Sequence, residues 1–245
     1  MTIIHSHSHS PTFNLAAEEF LFSKRQEDML FLYVNEPSVI IGSNQAIRNE
    51  VDLDFCVQNN IQVVRRMSGG GAVYHDLGNL NYCFISNKKE GKSSLSSDFL
   101  LPITDVLKAM DIPVEIGKRK DLWLPGGTKI GGTASHIGKS RELHHGTLLY
   151  DTNLNQLENA LTSRFKNTMI KAILSVHSPV RNIRSYMNDR GLEAPLAETF
   201  FTQFTLKMLE RYPSDSVSGF SKDEISKILH LQNMRYESFE WNYKK

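Results

Sequence analysis

Residues 65–82 read RRMSGGGAVYHDLGNLNY, with three consecutive glycines, Gly69–Gly71, between two short apolar segments. A glycine weakens a helix or strand interior by roughly 0.5–1 kcal/mol relative to alanine, so such a run does not serve stability. It suits a backbone that approaches a ligand closely and presents N–H groups to phosphate oxygens. Arg66, Ser68 and His75 add charge and hydrogen-bonding groups around the turn. Taken alone, however, a triple glycine more often marks a flexible hairpin loop.

A second glycine-rich segment, residues 126–147, reads GGTKIGGTASHIGKSRELHHGT and favours a ligand site over a plain loop. Its Gly138-Lys139-Ser140 resembles the end of a P-loop, but the upstream glycine that this motif requires falls at Thr133. A strand rather than a helix is also expected next, so we exclude a P-loop. Lys129 is the better candidate, because it begins a strand of small residues that leaves room for a ligand. A lone lysine in that position is more often simply solvated.

Short apolar segments around both motifs predict strands over residues 61–66, 72–75, 79–86, 129–136 and 141–151. Residues 29–34 and 38–42 are separated by a turn and predict a hairpin. Helical periodicity begins at Phe13, with Glu18 and Glu19 expected on the polar face, and returns over 197–212 and 222–231. Because the strands arrive largely as neighbouring hairpins, we predict an α+β fold with a mixed, largely antiparallel sheet flanked by helices.

The composition describes an ordinary globular chain of 245 residues, 40% hydrophobic and 22% charged, with a formal net charge of +1. These values give no sign of a nucleic-acid partner, and no apolar stretch is long enough for a membrane helix. The first ten residues do not resemble a signal peptide, and two cysteines, Cys56 and Cys83, make no disulfide framework. We therefore expect a cytoplasmic protein with no membrane partner. His5, His7 and His9 alternate along a predicted polar edge strand, where a metal site is the less favoured alternative.

Taken together, the motifs resemble the lipoate–protein ligase A family, within the wider group of biotin and lipoate ligases and octanoyltransferases. The resemblance is colinear over essentially the whole chain. It rests on residues 14–19, 39–42 with Gln45, 65–79, Asp121-Leu122, 129–134 and 143–149, with weaker similarity at 175–178, Asn182 and 240–242. It implies one catalytic domain over residues 1–245, helical from about residue 153, with a core like that of class II aminoacyl-tRNA synthetases and biotin ligases.

The resemblance also implies a two-step activity. The carboxylate of lipoate or octanoate attacks the α-phosphate of ATP to give an acyl-adenylate, and a lysine amine of an apo lipoyl domain then displaces AMP. The implied co-substrates are ATP and Mg²⁺, with no tightly bound metal. The implied acceptors are the E2 subunits of 2-oxoacid dehydrogenases and the glycine-cleavage H protein.

Residue roles follow from the same resemblance. Lys129 would bridge the acyl carbonyl and the phosphate, and Arg66 would contact either group. Asp121 would hold Mg²⁺, an ion that prefers oxygen ligands. The remaining assigned positions would bind substrate or nucleotide: Ser68 and Gly69–Gly71 along the channel (Gly69, Gly70, Gly71), Tyr74 and His75 at adenine and ribose, His145 near the acyl group, and Ala134, Gly146, Tyr33 and Val39 as tunnel walls.

Some positions depart from the family pattern. Lys120 replaces a common asparagine, Gly131 a serine and Pro179 an arginine, and the chain ends where larger relatives continue into an accessory domain. Three alternatives therefore stay open: adenylation with a separate accessory chain, transfer from preformed lipoyl-AMP, and carrier-to-carrier acyl transfer through a cysteine thioester. A non-catalytic lipoate-binding protein is disfavoured by the intact motifs, and a biotin ligase by the missing Gly-Arg-Gly-Arg loop.

Overall fold

The computed structural model describes residues 1–91, 93–94, 96–163, 165, 172–212 and 217–243. Within these residues the helices are α1 (Pro11–Lys24), α2 (Ile47–Glu50), α3 (Leu53–Gln58), α4 (Leu101–Ala109), α5 (Leu154–Ala160), α6 (Ile183–Asp189), α7 (Ala197–Arg211), α8 (Lys222–Leu231) and α9 (Phe239–Tyr243). A 3₁₀ turn, Asp98–Leu100, precedes α4, and a π-helical turn, Gln232–Tyr236, follows α8.

The strands of the same residues are β1 (Thr2–His5), β2 (Met29–Val34), β3 (Ser38–Ile41), β4 (Gln62–Arg65), β5 (Val73–His75), β6 (Asn79–Asn87), β7 (Glu115–Ile116), β8 (Leu122–Leu124), β9 (Thr128–Gly131), β10 (Thr133–Ile137), β11 (Arg141–Leu149) and β12 (Val217–Ser218). The largest sheet has the order β10-β11-β6-β2-β1-β12, antiparallel up to β2 and parallel beyond it. Two three-stranded sheets, β4-β3-β5 and β7-β8-β9, lie beside it. This confirms the predicted α+β fold with mixed sheets flanked by helices.

Helices cover both faces of the large sheet because its central strand, β6, is apolar on both sides. Leu80, Tyr82 and Phe84 point into a core built with α4, α6 and α7. Cys83 and Ile85 point the other way, into a core built with α1 and α8. Successive side chains of a strand face opposite ways, so one strand supplies two cores. The middle of β6 is therefore packed on both faces.

The predicted hairpin of residues 29–42 is wrong, because β2 pairs with β1 and β6 while β3 pairs with β4 and β5. The turn between them contains Asn35, whose amide is buried and hydrogen-bonded to Asn14 and His75. Asn35 therefore faces inward at the point where β2 and β3 separate into different sheets. The predicted strand 129–136 is likewise split at Gly132 into β9 and β10. A Cβ on the preceding Gly131 would overlap the carbonyl oxygen of Thr147.

The N-terminal histidines are not arranged as predicted. Strand β1 ends at His5 and lies between β2 and β12, so it is not an edge strand. His7 and His9 follow it in a non-helical segment that leads to Ser10, the residue that caps α1. His9 Nδ1 contacts the carbonyl oxygen of Val34 at 3.2 Å. The three histidines therefore do not share one face of a strand.

Across the described part of the chain, every helix is too short or too polar to cross a membrane.

Candidate functional site

The triple-glycine loop follows β4 and is held by hydrogen bonds from Arg66. The guanidinium is buried, and its Nε donates to Ser68 Oγ at 2.9 Å. Its Nη2 donates to the carbonyl oxygens of Gly69 and Gly71 at 2.6 and 2.8 Å, and Nη1 donates to that of Ile40 at 2.9 Å. Burial lowers the pKa of Arg66 to about 10, which leaves it charged at neutral pH. Most of the hydrogen bonds that Arg66 donates are therefore made to the loop itself.

Glycine is required at Gly70 by its backbone conformation. Gly70 has φ +88°, a conformation that L side chains rarely adopt, and a Cβ there would lie 3.0 Å from Arg66 Nη2. The carbonyl oxygen of Gly70 in turn reaches the end of β3, where any side chain on Gly42 would overlap it. The loop is thus a tightly packed turn in this structure.

Ser68 connects the loop to a buried chain of polar groups. Its Oγ lies 2.7 Å from His145 Nε2, and His145 Nδ1 lies 2.8 and 3.0 Å from the two carboxylate oxygens of Glu18. Tyr33 also donates its hydroxyl to Glu18, at 3.0 Å. Because a carboxylate accepts, His145 carries its proton on Nδ1 and its Nε2 accepts from Ser68. Glu18 was not among the predicted site residues and was expected on the polar face of α1, whereas only 1% of Glu18 is exposed.

Glu18, Cys83 and His145 bring three potential metal-ligand atoms within 4.8 Å of one another. Within this group His145 donates to Glu18, and the Glu18 carboxylate adds to the causes that raise the pKa of Cys83. Burial raises the pKa of the Cys83 thiol well above its usual value and that of Cys56 to about 11. Both thiols are therefore poor nucleophiles.

Lys129 begins the pair β9–β10 and lies in a partly buried cleft. Its Nζ is 3.3 Å from Asp121 Oδ2, and Arg119 Nη2 is 3.6 Å from the same oxygen. Burial lowers the pKa of Lys129, while Asp121 opposes that shift. The pKa of Asp121 is itself lowered, because hydrogen bonds and the positive charge of Lys129 outweigh burial. Asp121 thus forms part of a charge pair.

Two adjoining cavities meet at Lys129. The first, of about 260 Å³, lies above the glycine loop. The second, of about 400 Å³, lies against α5. Residues common to both walls are Ala72, Val73, Lys129, Gly132, Thr147, Ser175 and Val176. The two glycine-rich motifs, more than fifty residues apart in the sequence, therefore face a shared hollow.

The structure distributes the predicted site residues between these cavities. Arg66, Gly70, Gly71, His75, Asp121, Lys129, Ala134, His145 and Gly146 line the first cavity. Tyr74 lines the second, and its hydroxyl donates to Gln156 Oε1 at 2.6 Å. His75 follows Tyr74 in β5 and so faces the opposite way, and Ser68 and Gly69 lie outside both linings.

Val39, which was expected as a tunnel wall, lies elsewhere. Val39 packs with Ile41 and Cys56 in a separate apolar cluster. His144 points away from His145, stacks on Phe99 with ring centroids 4.3 Å apart, and lies 2.8 Å from Ser135 Oγ. Lys139 is exposed in the turn before β11. A strand rather than a helix therefore follows Gly138-Lys139-Ser140, in agreement with the exclusion of a P-loop.

The weakly matching segment around residue 175 crosses both cavities as a strap, residues 175–181. Ser175 Oγ accepts from the Ala72 N–H at 2.9 Å and from Gln45 Nε2 at 3.1 Å. At its other end, Lys129 N donates to the Pro179 carbonyl oxygen at 2.8 Å and Arg181 N to that of Lys129 at 3.0 Å. The strap therefore fastens the glycine loop to the lysine strand.

The neighbouring arginine, Arg65, has a separate structural task that the sequence analysis did not assign. It is fully buried and donates to the carbonyl oxygens of Gly42, Gln45 and Asn242 at 2.8–3.2 Å. The Trp241 indole donates to the Arg65 carbonyl oxygen at 2.8 Å. Arg65 thus joins the segment at 240–242 to the base of the site.

Comparison with known proteins agrees with this geometry. The model of the lipoyl protein ligase A/B catalytic domain matches residues 10–205. Lipoate–protein ligase 1 of Staphylococcus aureus is 35% identical over 235 residues, which cover 95% of this chain and 70% of that protein.

Two solved structures share the fold over nearly the whole chain. One is P. falciparum LipL1 in complex with lipoate, with a TM-score of 0.79, 28% identity and coverage of 100% of this chain and 74% of the other. The second is from a bi-partite lipoate protein ligase and its E2 lipoyl domain of Thermoplasma acidophilum, with a TM-score of 0.81, 25% identity and coverage of 99% and 95%. This chain therefore belongs to the lipoyl protein ligase A/B catalytic domain family.

Proposed function

We propose that this protein is a lipoate–protein ligase that activates lipoate, or octanoate, with ATP and transfers the acyl group to a lysine of an apo lipoyl domain. The single observation that carries the proposal is the pair of adjoining cavities with Lys129 at their junction. A reaction that joins an acid to a nucleotide needs two binding spaces and a cation between them.

The first cavity suits the acyl chain. Its deepest residues, Leu15, Tyr33 and Ile40, are almost fully buried, whereas Arg119 and Lys129 lie at its more exposed end. An eight-carbon acid would bury its chain inward and leave its carboxylate beside Lys129. The lipoate-bound relative with the same fold supports this choice of substrate.

The second cavity suits the nucleotide. Its wall combines Leu149 of β11, Leu154 and Leu157 of α5 and Leu161 just after α5 with the buried ring of Tyr74. Apolar walls with a few polar groups are typical of nucleotide and small-molecule pockets. The base and ribose would occupy this space, and the α-phosphate would reach the junction.

Lys129 would then act in both steps. Negative charge develops on phosphate oxygens as the carboxylate attacks the α-phosphorus and pyrophosphate leaves, and again on the acyl carbonyl oxygen as the amine attacks and AMP leaves. A fixed ammonium stabilises both states. The acceptor amine must attack in its neutral form, so one proton is released in forming the amide. Arg66 contributes by holding the glycine loop in place.

The predicted Mg²⁺ ligand, Asp121, stays a proposal. Its Oδ2 lies near Lys129 and Arg119, and it is the sole carboxylate among the described residues of the first cavity. Mg²⁺ is usually bound by one or two carboxylates together with substrate phosphates, so Asp121 would supply at most one oxygen ligand beside the ATP phosphates. Mg²⁺ therefore enters the proposal as a companion of the ATP phosphates, and no step above depends on it.

Lipoyl domains of E2 subunits and of the glycine-cleavage H protein are the proposed acceptors, as the E2 lipoyl domain paired with the T. acidophilum ligase suggests. A single catalytic domain and a cytoplasmic location complete the proposal. Because that ligase is described as bi-partite, a separate accessory chain stays among the proposed partners.

The test incubates purified protein with ATP, Mg²⁺, lipoate and an apo lipoyl domain and follows the domain by mass spectrometry. We expect one lipoyl group per domain and one AMP per transfer. Parallel reactions supply preformed lipoyl-AMP without ATP, or an octanoyl carrier protein without ATP. Transfer from lipoyl-AMP alone would mean that adenylation needs a second chain. Transfer from the carrier alone would replace the ligase with an acyltransferase.

A further inference from the structure

The closed end of the first cavity carries polar groups as well as apolar ones. Tyr33, His75 and Asn81 line it together with Leu15 and Ile40, and each of the five is at most 3% exposed. The opposite end opens beside Arg119, whose side chain is 48% exposed. Whatever lies at the closed end is shielded from bulk water, so an unmatched polar group there affects affinity strongly.

Two of these polar groups already have partners. The Tyr33 hydroxyl donates to Glu18 at 3.0 Å. The Asn81 amide donates to the Tyr33 carbonyl oxygen at 3.3 Å and accepts from Asn79 at 2.9 Å. His75 differs, because its Nε2 is buried and has no hydrogen-bond partner among the residues that the structure describes.

A chain of amides decides which nitrogen of His75 carries the proton. Asn14 Nδ2 donates to the Ser8 carbonyl oxygen and to Asn35 Oδ1, both at 2.8 Å. The carbonyl oxygen can only accept, so the amide orientation of Asn14 is fixed, and through it that of Asn35. Asn35 Nδ2 must therefore donate to His75 Nδ1, 2.9 Å away. The proton of His75 is left on Nε2, where it is an unused donor at the cavity wall.

His75 is also held neutral. Burial is the main cause that lowers its pKa to about 3, and the nearby charge of Arg66 adds to the shift. Its Nε2–H is accordingly a neutral donor throughout the pH range in which the protein would work. An uncharged acyl chain can lie against this neutral donor. A weak acceptor in the same place would add a favourable hydrogen bond and so raise the affinity of the ligand.

Lipoate and octanoate share an eight-carbon chain and differ by two sulfur atoms at the end away from the carboxylate. Thioether-like sulfur is a weak hydrogen-bond acceptor, and a methyl end is none. We propose that His75 Nε2–H is a specificity-determining contact that favours acids with a sulfur-bearing distal end over plain eight-carbon fatty acids. This inference rests on the proposed function, in that the first cavity takes the acyl chain tail first.

The test compares lipoate and octanoate binding by isothermal titration calorimetry in the wild-type protein, His75→Leu and Ile40→Val. His75→Leu removes the donor at similar volume, and Ile40→Val trims the same end of the cavity without changing its polarity. We expect wild-type protein to prefer lipoate by about tenfold, and His75→Leu to lose most of that preference. Ile40→Val should weaken both acids alike. An unchanged lipoate-to-octanoate ratio in a folded His75→Leu protein would overturn the inference.

A second measurement needs no variant and no catalysis. Long-range ¹H–¹⁵N spectra of wild-type protein identify the protonated nitrogen of each imidazole. We expect His75 to be protonated on Nε2 and that resonance to move more with lipoate than with octanoate. Protonation on Nδ1, or equal shifts with both acids, would contradict the inference while leaving the proposed ligase intact. A protein that binds neither acid would instead remove the proposed function on which the inference rests.

Discussion

His145 Nδ1 lies 2.8 Å from Glu18, a residue 127 positions earlier in the chain, and this contact fixes the imidazole with Nε2 toward Ser68. Ser68 Oγ accepts a hydrogen bond from Arg66 Nε, and Arg66 Nη2 donates to two carbonyl oxygens of the glycine loop. One buried carboxylate on α1 thus sets the position of a loop on the far side of the site. Glu18 also supplies negative charge near the buried Arg66 guanidinium.

Replacing Glu18 by glutamine should therefore reduce transfer by about tenfold to a hundredfold, since one charged hydrogen bond contributes about 1.5–3 kcal/mol. The main effect should be a weaker affinity for lipoate, because the first cavity loses the fixed orientation of His145. Lipoate titrations and steady-state transfer rates would measure both.

Glu19→Gln is the matched control. Glu19 is the next residue on α1, accepts from Arg235 and Tyr236 at 2.5 and 2.7 Å, and lies outside both cavities. Its replacement should lower thermal stability without a comparable loss of lipoate affinity. Equal losses in the two variants would argue that Glu18 matters only for folding.

The cysteines should be dispensable for transfer. Both are buried, and burial raises both thiol pKa values, so neither forms a reactive thiolate near neutral pH. We expect a Cys56→Ser, Cys83→Ser double variant to retain most of its activity in the mass-spectrometric assay. An acyl thioester found on either cysteine of wild-type protein, together with an inactive but folded double variant, would favour the acyltransferase alternative.

Stability should fall on mild acidification. The pKa of His75 is about 3 in the folded protein against an ordinary value of 6.5, so between these values the unfolded chain binds a proton that the folded chain does not. The free energy of unfolding is then highest above pH 6.5 and falls as the pH drops, by up to about 1.4 kcal/mol per pH unit for each such histidine. His5, His136 and His144 have lowered pKa values too, mainly through burial, and add to the slope.

Urea unfolding at intervals from pH 7.5 to pH 5 would measure this slope. The His75→Leu protein should show a shallower dependence than wild type. If the two curves run parallel, His75 takes up its proton equally well in the folded and unfolded states.

Arg65→Met should lower the free energy of unfolding by about 3 kcal/mol or more, because several buried carbonyl oxygens lose their donors at once. The exposed Arg48 offers a control. Its replacement by methionine should change stability by no more than about 0.5 kcal/mol. Chemical denaturation of both variants would decide, and similar losses would show that the contacts of Arg65 carry little of the stability.

Much of the fold could be predicted from the sequence, because apolar periodicity depends on local structure. The strands at residues 61–66 and 79–86 and the helix at 197–212 were placed within a few residues of β4, β6 and α7. Pairing was harder to predict. Nothing local in residues 29–42 shows that the two apolar strands join different sheets after Asn35, since the hydrogen-bond partners of its amide come from α1 and β5.

The site shows the same limit. The glycine and lysine motifs could be found because their composition is unusual. Glu18 could not, because a carboxylate beside Glu19 on an amphipathic helix looks solvent-facing until His145 and Tyr33 are brought against it. The alternation of β5 was readable, however. Adjacent strand residues face opposite ways, so the joint assignment of Tyr74 and His75 to adenine and ribose overlooked a local pattern, and the two residues line different cavities.

Lys129→Ala provides the most direct test of the central claim, that one lysine serves both half-reactions at the junction of two cavities. Lys139→Ala is its control, since Lys139 is exposed and lines neither cavity. We predict that Lys129→Ala abolishes lipoate-dependent pyrophosphate release and lipoyl transfer while its melting curve stays close to wild type, and that Lys139→Ala keeps both activities. A folded Lys129→Ala protein that lipoylates its acceptor at the wild-type rate would contradict the proposed mechanism.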